Sequence, residues 1–219
     1  MNYKGIDIVW KGHAGFMIKA GGKIIYIDPF ELDFVSEEEK ADYVLITHSH
    51  YDHCSVEDIK KVVKPETMIL CPADVQSKMR HVGEIELQIV EPGKSVDLIE
   101  GLSVDAVSAY NIDKEFHTKE EYWVGYIVDF KGTRVYHAGD SDMIPEMQNI
   151  AANVVLLPVG GTYTMDSEQA ANAVALISPD LAIPMHWGGG VIGDRDDAED
   201  FLEKCRTKGI EAKILEKGE

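Results

Sequence analysis

Two packed β-sheets flanked by helices, an α+β architecture, is the fold class this sequence predicts, and three observations predict it. Short apolar runs rich in β-branched and aromatic residues recur along the chain, bounded by glycine, proline and polar turns. Helix-start signals are fewer and lie between or after those runs. The order is several strands and then mixed strand and helix, in two comparable halves, which suits one pair of stacked sheets with helices outside them.

In chain order, residues 6–10, 15–19 and 23–28 read as strands, and Gly21-Gly22 between the last two is a hairpin signal. Residues 42–46 form a short buried-strand pattern that ends at a histidine-rich loop. Ser55 then stands as an N-cap with acidic residues after it, so a helix is expected over 55–63. Residues 67–71 return to strand, and 72–80 read as a helix with proline near its first turn. Several strands are expected over 85–109, with a turn at Glu91-Pro92-Gly93-Lys94.

The second half alternates in the same way. Residues 122–130 and 133–137 read as strands paired around Lys131-Gly132, and 153–157 as a buried strand. Asp166 caps a helix over 167–177, with Gln169 placed to return the capping-box bond. A strand at 181–184, a helix near 195–207 and a strand at 212–215 complete the series. No linker or repeat interrupts it, so the 219 residues are expected to form a single domain, 1–219, with a substantial core.

Composition bounds the function. With 45% hydrophobic and 27% charged residues the chain reads as soluble and globular. No run approaches the roughly 18 apolar residues of a membrane span, and the first residues lack a signal-peptide stretch, so the expected location is the cytoplasm. The net charge of −18 weighs against a nucleic-acid partner and leaves a small molecule as the expected one. Cys54, Cys71 and Cys205 are an odd number with no CxxC pair, which excludes a disulfide framework or a thiolate zinc cluster as the reading.

The feature that carries chemistry is Thr47-His48-Ser49-His50-Tyr51-Asp52-His53. Three of the eight histidines fall in this stretch, directly after an apolar strand. Residues two apart in an extended segment point the same way, so His48 and His50 can grip one ion, and a turn would present Asp52 and His53 to a neighbouring one. Imidazole and carboxylate donors suit zinc, and also manganese or iron. Two close cations need a shared carboxylate and a bridging hydroxide to offset their repulsion, and they lower the pKa of the water between them.

The HxHxDH pattern resembles the metal-binding motif of the metallo-β-lactamase superfamily, and the resemblance spans most of the chain. Ile27-Asp28-Pro29-Phe30 is similar to the first motif, His137-Ala138-Gly139-Asp140-Ser141 to the strand-end Gly-Asp, and Pro184-Met185-His186-Trp187-Gly188 to the last motif. Gly12-His13-Ala14-Gly15-Phe16 and Gly160-Gly161-Thr162-Tyr163-Thr164-Met165 resemble the bacterial and archaeal branch that includes ascorbate-6-phosphate lactonase-like hydrolases.

The resemblance implies a four-layer αββα sandwich holding two divalent metal ions, zinc first and manganese or iron as alternatives. Carried over, one ion takes His48 and His50, the other Asp52, His53 and His186, and Asp140 bridges them. The family's further histidine has no direct counterpart: alignment points to Asn111 and chemistry to His117. Asp52 and Tyr163 are the candidate catalytic residues, one orienting the hydroxide or passing a proton, the other donating to a developing oxyanion. His13 stands between a ligand-orienting role and a plain turn residue, and Gly160 and Gly161 between substrate-facing amides and a plain turn. His81 and His137 read as structural.

The implied reaction is hydrolysis of a small ester, lactone or sugar-phosphate derivative. The rivals are a phosphodiesterase of the same fold and a metal-binding protein without activity. Whether a second subunit covers the cleft in a homo-oligomer stays open.

Overall fold

The computed structural model describes residues 1–218. Its first sheet contains, in spatial order, β1 (Asn2–Tyr3), β2 (Ile6–Gly12), β3 (Gly15–Ala20), β4 (Lys23–Ile27), β5 (Tyr43–Leu45), β6 (Thr67–Cys71) and β7 (Ile85–Ile89). The strands from β1 to β4 pair antiparallel, and those from β4 to β7 pair parallel. The second sheet contains β8 (Ser95–Ile99), β9 (Leu102–Ser108), β10 (Val124–Phe130), β11 (Thr133–His137), β12 (Val154–Pro158) and β13 (Leu181–Met185), again with neighbours in chain order. It too begins as an antiparallel meander, β8 to β11, and ends in parallel pairs, β11 to β13.

Period-two side chains decide the layering. Phe16, Ile18, Ile25, Ile27 and Leu45 face the core between the sheets, while Met17, Tyr26, Val44 and Ile46 face outwards into a second cluster with Ile59 and Val62 of α1 (Val56–Val62). On the far side α2 (Ser167–Ile177) and α3 (Arg195–Thr207) pack on each other and on β12 and β13. The result is the expected four layers. Each long helix starts where the sequence signals it: the Asp166 carboxylate accepts from Gln169 N while the Gln169 side chain accepts from Asp166 N, and Asp194 caps α3 in the same reciprocal way.

Two expectations fail. Residues 72–80 do not form one helix but two short 3-10 turns, Ala73–Val75 and Lys78–His81. Tertiary anchors account for it: the Asp74 carboxylate takes the indole N–H of Trp123, and the Lys78 amine reaches back to the Ser49 carbonyl. Residues 212–215 form no strand beyond an isolated bridge between Ala182 and Ala212, because the chain then turns across the sheet end, where Gly218 N donates to Trp10 O. Among the described residues no helix is long and apolar enough to cross a membrane.

The parallel strands of both sheets end at one edge, so Asp28 and Thr47 follow the carboxyl ends of β4 and β5 in the first sheet, and Asp140 and His186 those of β11 and β13 in the second. Open sheets hold ligands at such an edge. The sheets are tied there by the Tyr126 hydroxyl, which donates to Ile46 O at 2.8 Å, and by Val124 N to Thr47 O at 3.1 Å. Gly139 permits the approach: a Cβ there would lie 2.9 Å from Val124 O and 3.2 Å from Thr47 Cβ, at φ +63°.

Candidate metal centre

The 47–53 loop is held by one buried carboxylate. Asp28, at the end of β4, accepts from Thr47 N (2.8 Å) and the Thr47 hydroxyl (2.6 Å), and from His53 Nδ1 (2.7 Å). The Thr47 hydroxyl proton is thereby committed, so its oxygen accepts from His48 Nδ1 at 2.9 Å. Both rings are fixed with Nδ1 protonated, which turns the Nε2 atoms of His48 and His53 into the site. A carboxylate or hydroxyl behind the ring is the usual support of a metal-binding imidazole.

His48 Nε2 and His117 Nε2 each lie 3.1 Å from His50 Nδ1. The Asp140 carboxylate faces this group, with Oδ2 3.8 Å from His48 Nε2 and 3.3 Å from His117 Nε2. It also faces the other donors: Oδ1 is 3.2 Å from His53 Nε2, and Oδ2 is 3.2 Å from His186 Nε2. Asp52 Oδ2 completes that side at 3.6 Å from His53 Nε2 and 3.8 Å from His186 Nε2. The seven residues singled out as donors in the sequence thus converge, with Asp140 between two groups.

The Asn111 and His117 alternatives separate by role: Asn111 stands behind the His117 ring, with its Nδ2 3.2 Å from His117 Nδ1. His117 reaches the other donors, whereas Asn111 is a strut for the loop that carries it. Asn111 Nδ2 donates to Phe116 O (2.9 Å) and Tyr163 O (2.8 Å), and its backbone N–H donates to His117 O (2.7 Å).

His13 belongs to the site more closely than the sequence indicated. Its Nε2 lies 3.1 Å from Asp52 Oδ2, and it forms one candidate ion-holding group with Asp52, His53 and His186, all donor atoms within 4.8 Å of one another. Its carbonyl accepts from His186 N and from Trp10 Nε1. A local signal existed: Gly12 pairs with Gly15 across the hairpin, so His13 occupies a two-residue turn that normally takes glycine or asparagine. Gly161 opens a turn, its carbonyl accepting from Thr164 N and its amide donating to Met165 O, and Gly160 forms an isolated bridge with Asp166. His137 is structural, its Nε2 at 2.8 Å from Ala14 O. His81 is exposed and away from the site.

Four of these residues sit in the left-handed backbone region: His13 at φ +50°, Asp28 at +45°, His117 at +58° and His186 at +61°. Such a conformation costs a non-glycine residue on the order of 1–2 kcal/mol. Its concentration here marks a place where donor position outranks local comfort.

The electrostatics point the same way. Burial keeps His48 well below its ordinary pKa, helped by the charge of His53, and burial with neighbouring His117 lowers His50. Burial pushes His13 down to about 4 despite Asp52. For Asp52 burial acts upwards, but the His13 hydrogen bond and nearby His53 outweigh it and bring it to about 2. Asp140 is likewise held well below the carboxylate range: burial opposes this, and His186 and His53 prevail. His53 moves the other way: the charges of Asp140 and Asp28 overcome burial and hold its pKa well above the ordinary value. Two ionised carboxylates, Asp52 and Asp140, beside the lowered imidazoles of His13, His48 and His50 form a cradle for cations.

Protons alone do not satisfy it. His53 Nε2, Asp140 Oδ1 and both ring nitrogens of His186 are buried without a hydrogen-bond partner. Three imidazole nitrogens meet at His50 Nδ1, where a single proton can serve one contact and not both. Orphaned polar atoms of this kind cost free energy in a protein interior, and divalent ions ligated by nitrogen and oxygen would remove the deficit. The residues fit metal.

Above the donors opens a cleft of about 270 Å³, with Tyr51, Phe116, Tyr163 and Val191 around His50, Asp52, His117, Asp140 and His186.

Comparison with known proteins agrees with this geometry. Residues 7–186 match the sequence profile described as β-lactamase superfamily domain. A UPF0173 metal-dependent hydrolase of Archaeoglobus fulgidus is 35% identical over 233 residues, covering 96% of this chain and 95% of that protein. Among solved structures, a protein of Parabacteroides distasonis superposes with a TM-score of 0.84 at 30% identity, covering 98% of this chain and 94% of its own. Igni18, a metallo hydrolase of Ignicoccus hospitalis, gives 0.79 at 28% identity, with 98% and 96% covered.

Proposed function

The chain belongs to the β-lactamase superfamily domain family and has the metallo-β-lactamase fold, and from that premise we propose that it is a metal-dependent hydrolase of small esters or lactones, sugar-phosphate derivatives included, with two divalent ions, zinc by donor type. The observation that carries this reading is Asp140, a buried carboxylate facing His48 and His117 on one side and His53 and His186 on the other.

In this reading His48, His50 and His117 would hold one ion, Asp52, His53 and His186 would hold the other, and Asp140 would serve both. When bound, the ions supply Lewis acidity and a water acidic enough to attack near neutral pH. The chain's residues do the rest. Asp28 and Thr47 keep the rings of His48 and His53 in the donor tautomer. Asp52, held ionised and tied to His13, is a weak base but a good acceptor, so it orients the attacking water rather than storing its proton. Tyr163 stands on the cleft wall, and among the described residues its hydroxyl makes no hydrogen bond, which leaves it free to donate to the charge that develops on the substrate oxygen. A cytoplasmic, single-domain protein acting on a small molecule, without nucleic acid or membrane as partner, completes the proposal.

The test is the metal content of protein prepared without chelator, paired with hydrolysis of lactones, esters and phosphodiesters. Two ions per chain are expected, with activity lost on chelation and in Asp140→Asn. Hydrolysis that survives chelation, or a chain that takes up no metal, would overturn the proposal.

A further inference from the structure

The cleft says more about the part of the substrate that does not react. Its floor is the donor set, and its walls are Tyr51, Phe116, Tyr163 and Val191. These come from four separate loops, after β5, β9, β12 and β13, yet their apolar faces meet at one rim. Tyr51 is 65% exposed, Phe116 50% and Tyr163 36%. They are braced: Phe116 meets Tyr163 edge-on at 5.3 Å, and Tyr51 meets Phe30 edge-on at 5.9 Å. Aromatic carbon left in water at a rim, and held there in fixed orientation, is characteristic of a surface that a ligand covers.

No lysine or arginine lines this cleft. Lysines on adjoining segments already have partners. The Lys114 amine is held by the Asp142 carboxylate and by Thr164 O, and the Lys78 amine by Ser49 O. Lys119 is paired with Glu146. A phosphate group lying beyond the reach of the donor set would therefore exchange its hydration for aromatic carbon, with no charged partner in return. The net charge of −18 adds long-range repulsion to that loss.

We infer that the cleft selects an uncharged substrate, an ester or lactone whose non-reacting part is an aromatic or branched-alkyl group seated between Phe116, Tyr163, Tyr51 and Val191. This rests on the hydrolase reading above and removes phosphorylated sugars from it. The size agrees, since about 270 Å³ falls short of the roughly 300–1,000 Å³ that encloses a drug-sized ligand. The reaction is simple hydrolysis: the acyl C–O bond breaks, the water oxygen bonds to the acyl carbon, and the departing oxygen takes a water proton, giving a hydroxy acid from a lactone.

The experiment compares kcat/KM of the zinc-loaded protein for a phenyl-substituted δ-lactone and for a phosphorylated sugar δ-lactone. The expected result is at least a ten-fold preference for the phenyl-substituted compound. Phe116→Ala should cut that preference at least five-fold, and Phe116→Arg should move it towards the phosphorylated compound, with zinc content unchanged in both as the check on folding. Preference for the phosphorylated lactone, or a preference untouched by both variants, would overturn this inference and leave the hydrolase reading standing. Hydrolysis of neither compound, nor of simple esters, would overturn both.

Discussion

On one wall of the site, residues 47–53 leave β5 and carry four candidate donors in six positions, with His53 braced by Asp28 directly and His48 through Thr47. On the opposite wall, the segment after β9 carries a single donor, His117, and is braced by Asn111 through neutral hydrogen bonds to backbone carbonyls. The first wall joins a charged acceptor to rigid sheet on both sides. The second is a loop with Ile112 and Phe116 exposed and His117 held in a left-handed conformation. The lesson is a division of labour: the dense wall fixes the ions, and the sparse wall closes one of them while shaping the cleft through Phe116.

Breaking the dense wall should cost most. Asp28→Ala strips His53 Nδ1, Thr47 N and the Thr47 hydroxyl of their shared acceptor inside the core. We expect a loss of roughly 3–5 kcal/mol in unfolding free energy, measured by urea denaturation. Metal titration of whatever folds should show both ions weakened. Unchanged stability would mean that the loop is held by its metals alone.

The sparse wall should fail more gently and on one side. Asn111→Ala should weaken the ion at His48, His50 and His117 by about 10–100-fold, while the ion at His53 and His186 keeps its affinity. Equal weakening of both would erase the distinction between the walls. His13 tests the far end of the dense wall: His13→Phe should weaken the ion shared by Asp52, His53 and His186 by about ten-fold, and His13→Gln, which keeps a donor for Asp52, should restore part of it.

A smaller effect is expected at the anchor between α1 and the loop after β4. The Asp58 carboxylate accepts from Glu31 N and Leu32 N, and from the Ser55 hydroxyl and Lys61. Burial raises its pKa, but those donors outweigh burial and hold it below the ordinary carboxylate value. A depressed folded pKa stabilises above the unfolded value of about 3.9 and loses that stabilisation as pH falls through the folded value. Thermal stability measured downwards from pH 5 should therefore fall less steeply in Asp58→Asn than in the parent. As a reference remote from both walls, Asp166→Ala should cost about 1 kcal/mol through the lost α2 cap and leave metal content as it was.

Legibility in the sequence followed the same division. The dense wall was readable because its donors are neighbours in the chain, and α2 because the Asp166–Gln169 box is local chemistry. The hairpins at Gly21-Gly22 and Lys131-Gly132 were readable because each joins strands adjacent in the chain through a glycine turn. His117 was not separable from Asn111, since the choice depends on how a six-residue loop folds back, and that is set by Tyr163 O, some fifty residues away. His13 was obscured for the same reason: its partner Asp52 is 39 positions on. The 72–80 segment had helical propensity, but Trp123 and Ser49 pull it into two turns, and propensity contains no term for them.

The left-handed backbone at His13, His117 and His186 has an evolutionary reading. Replacing any of the three by glycine would relieve strain of about 1 kcal/mol, so drift without function would tend to erase these side chains. Activity commonly opposes stability in this way. A chain that places three bulky imidazoles where the backbone favours glycine carries a strain that glycine would relieve, and that strain is the cost of holding three nitrogen donors at fixed positions.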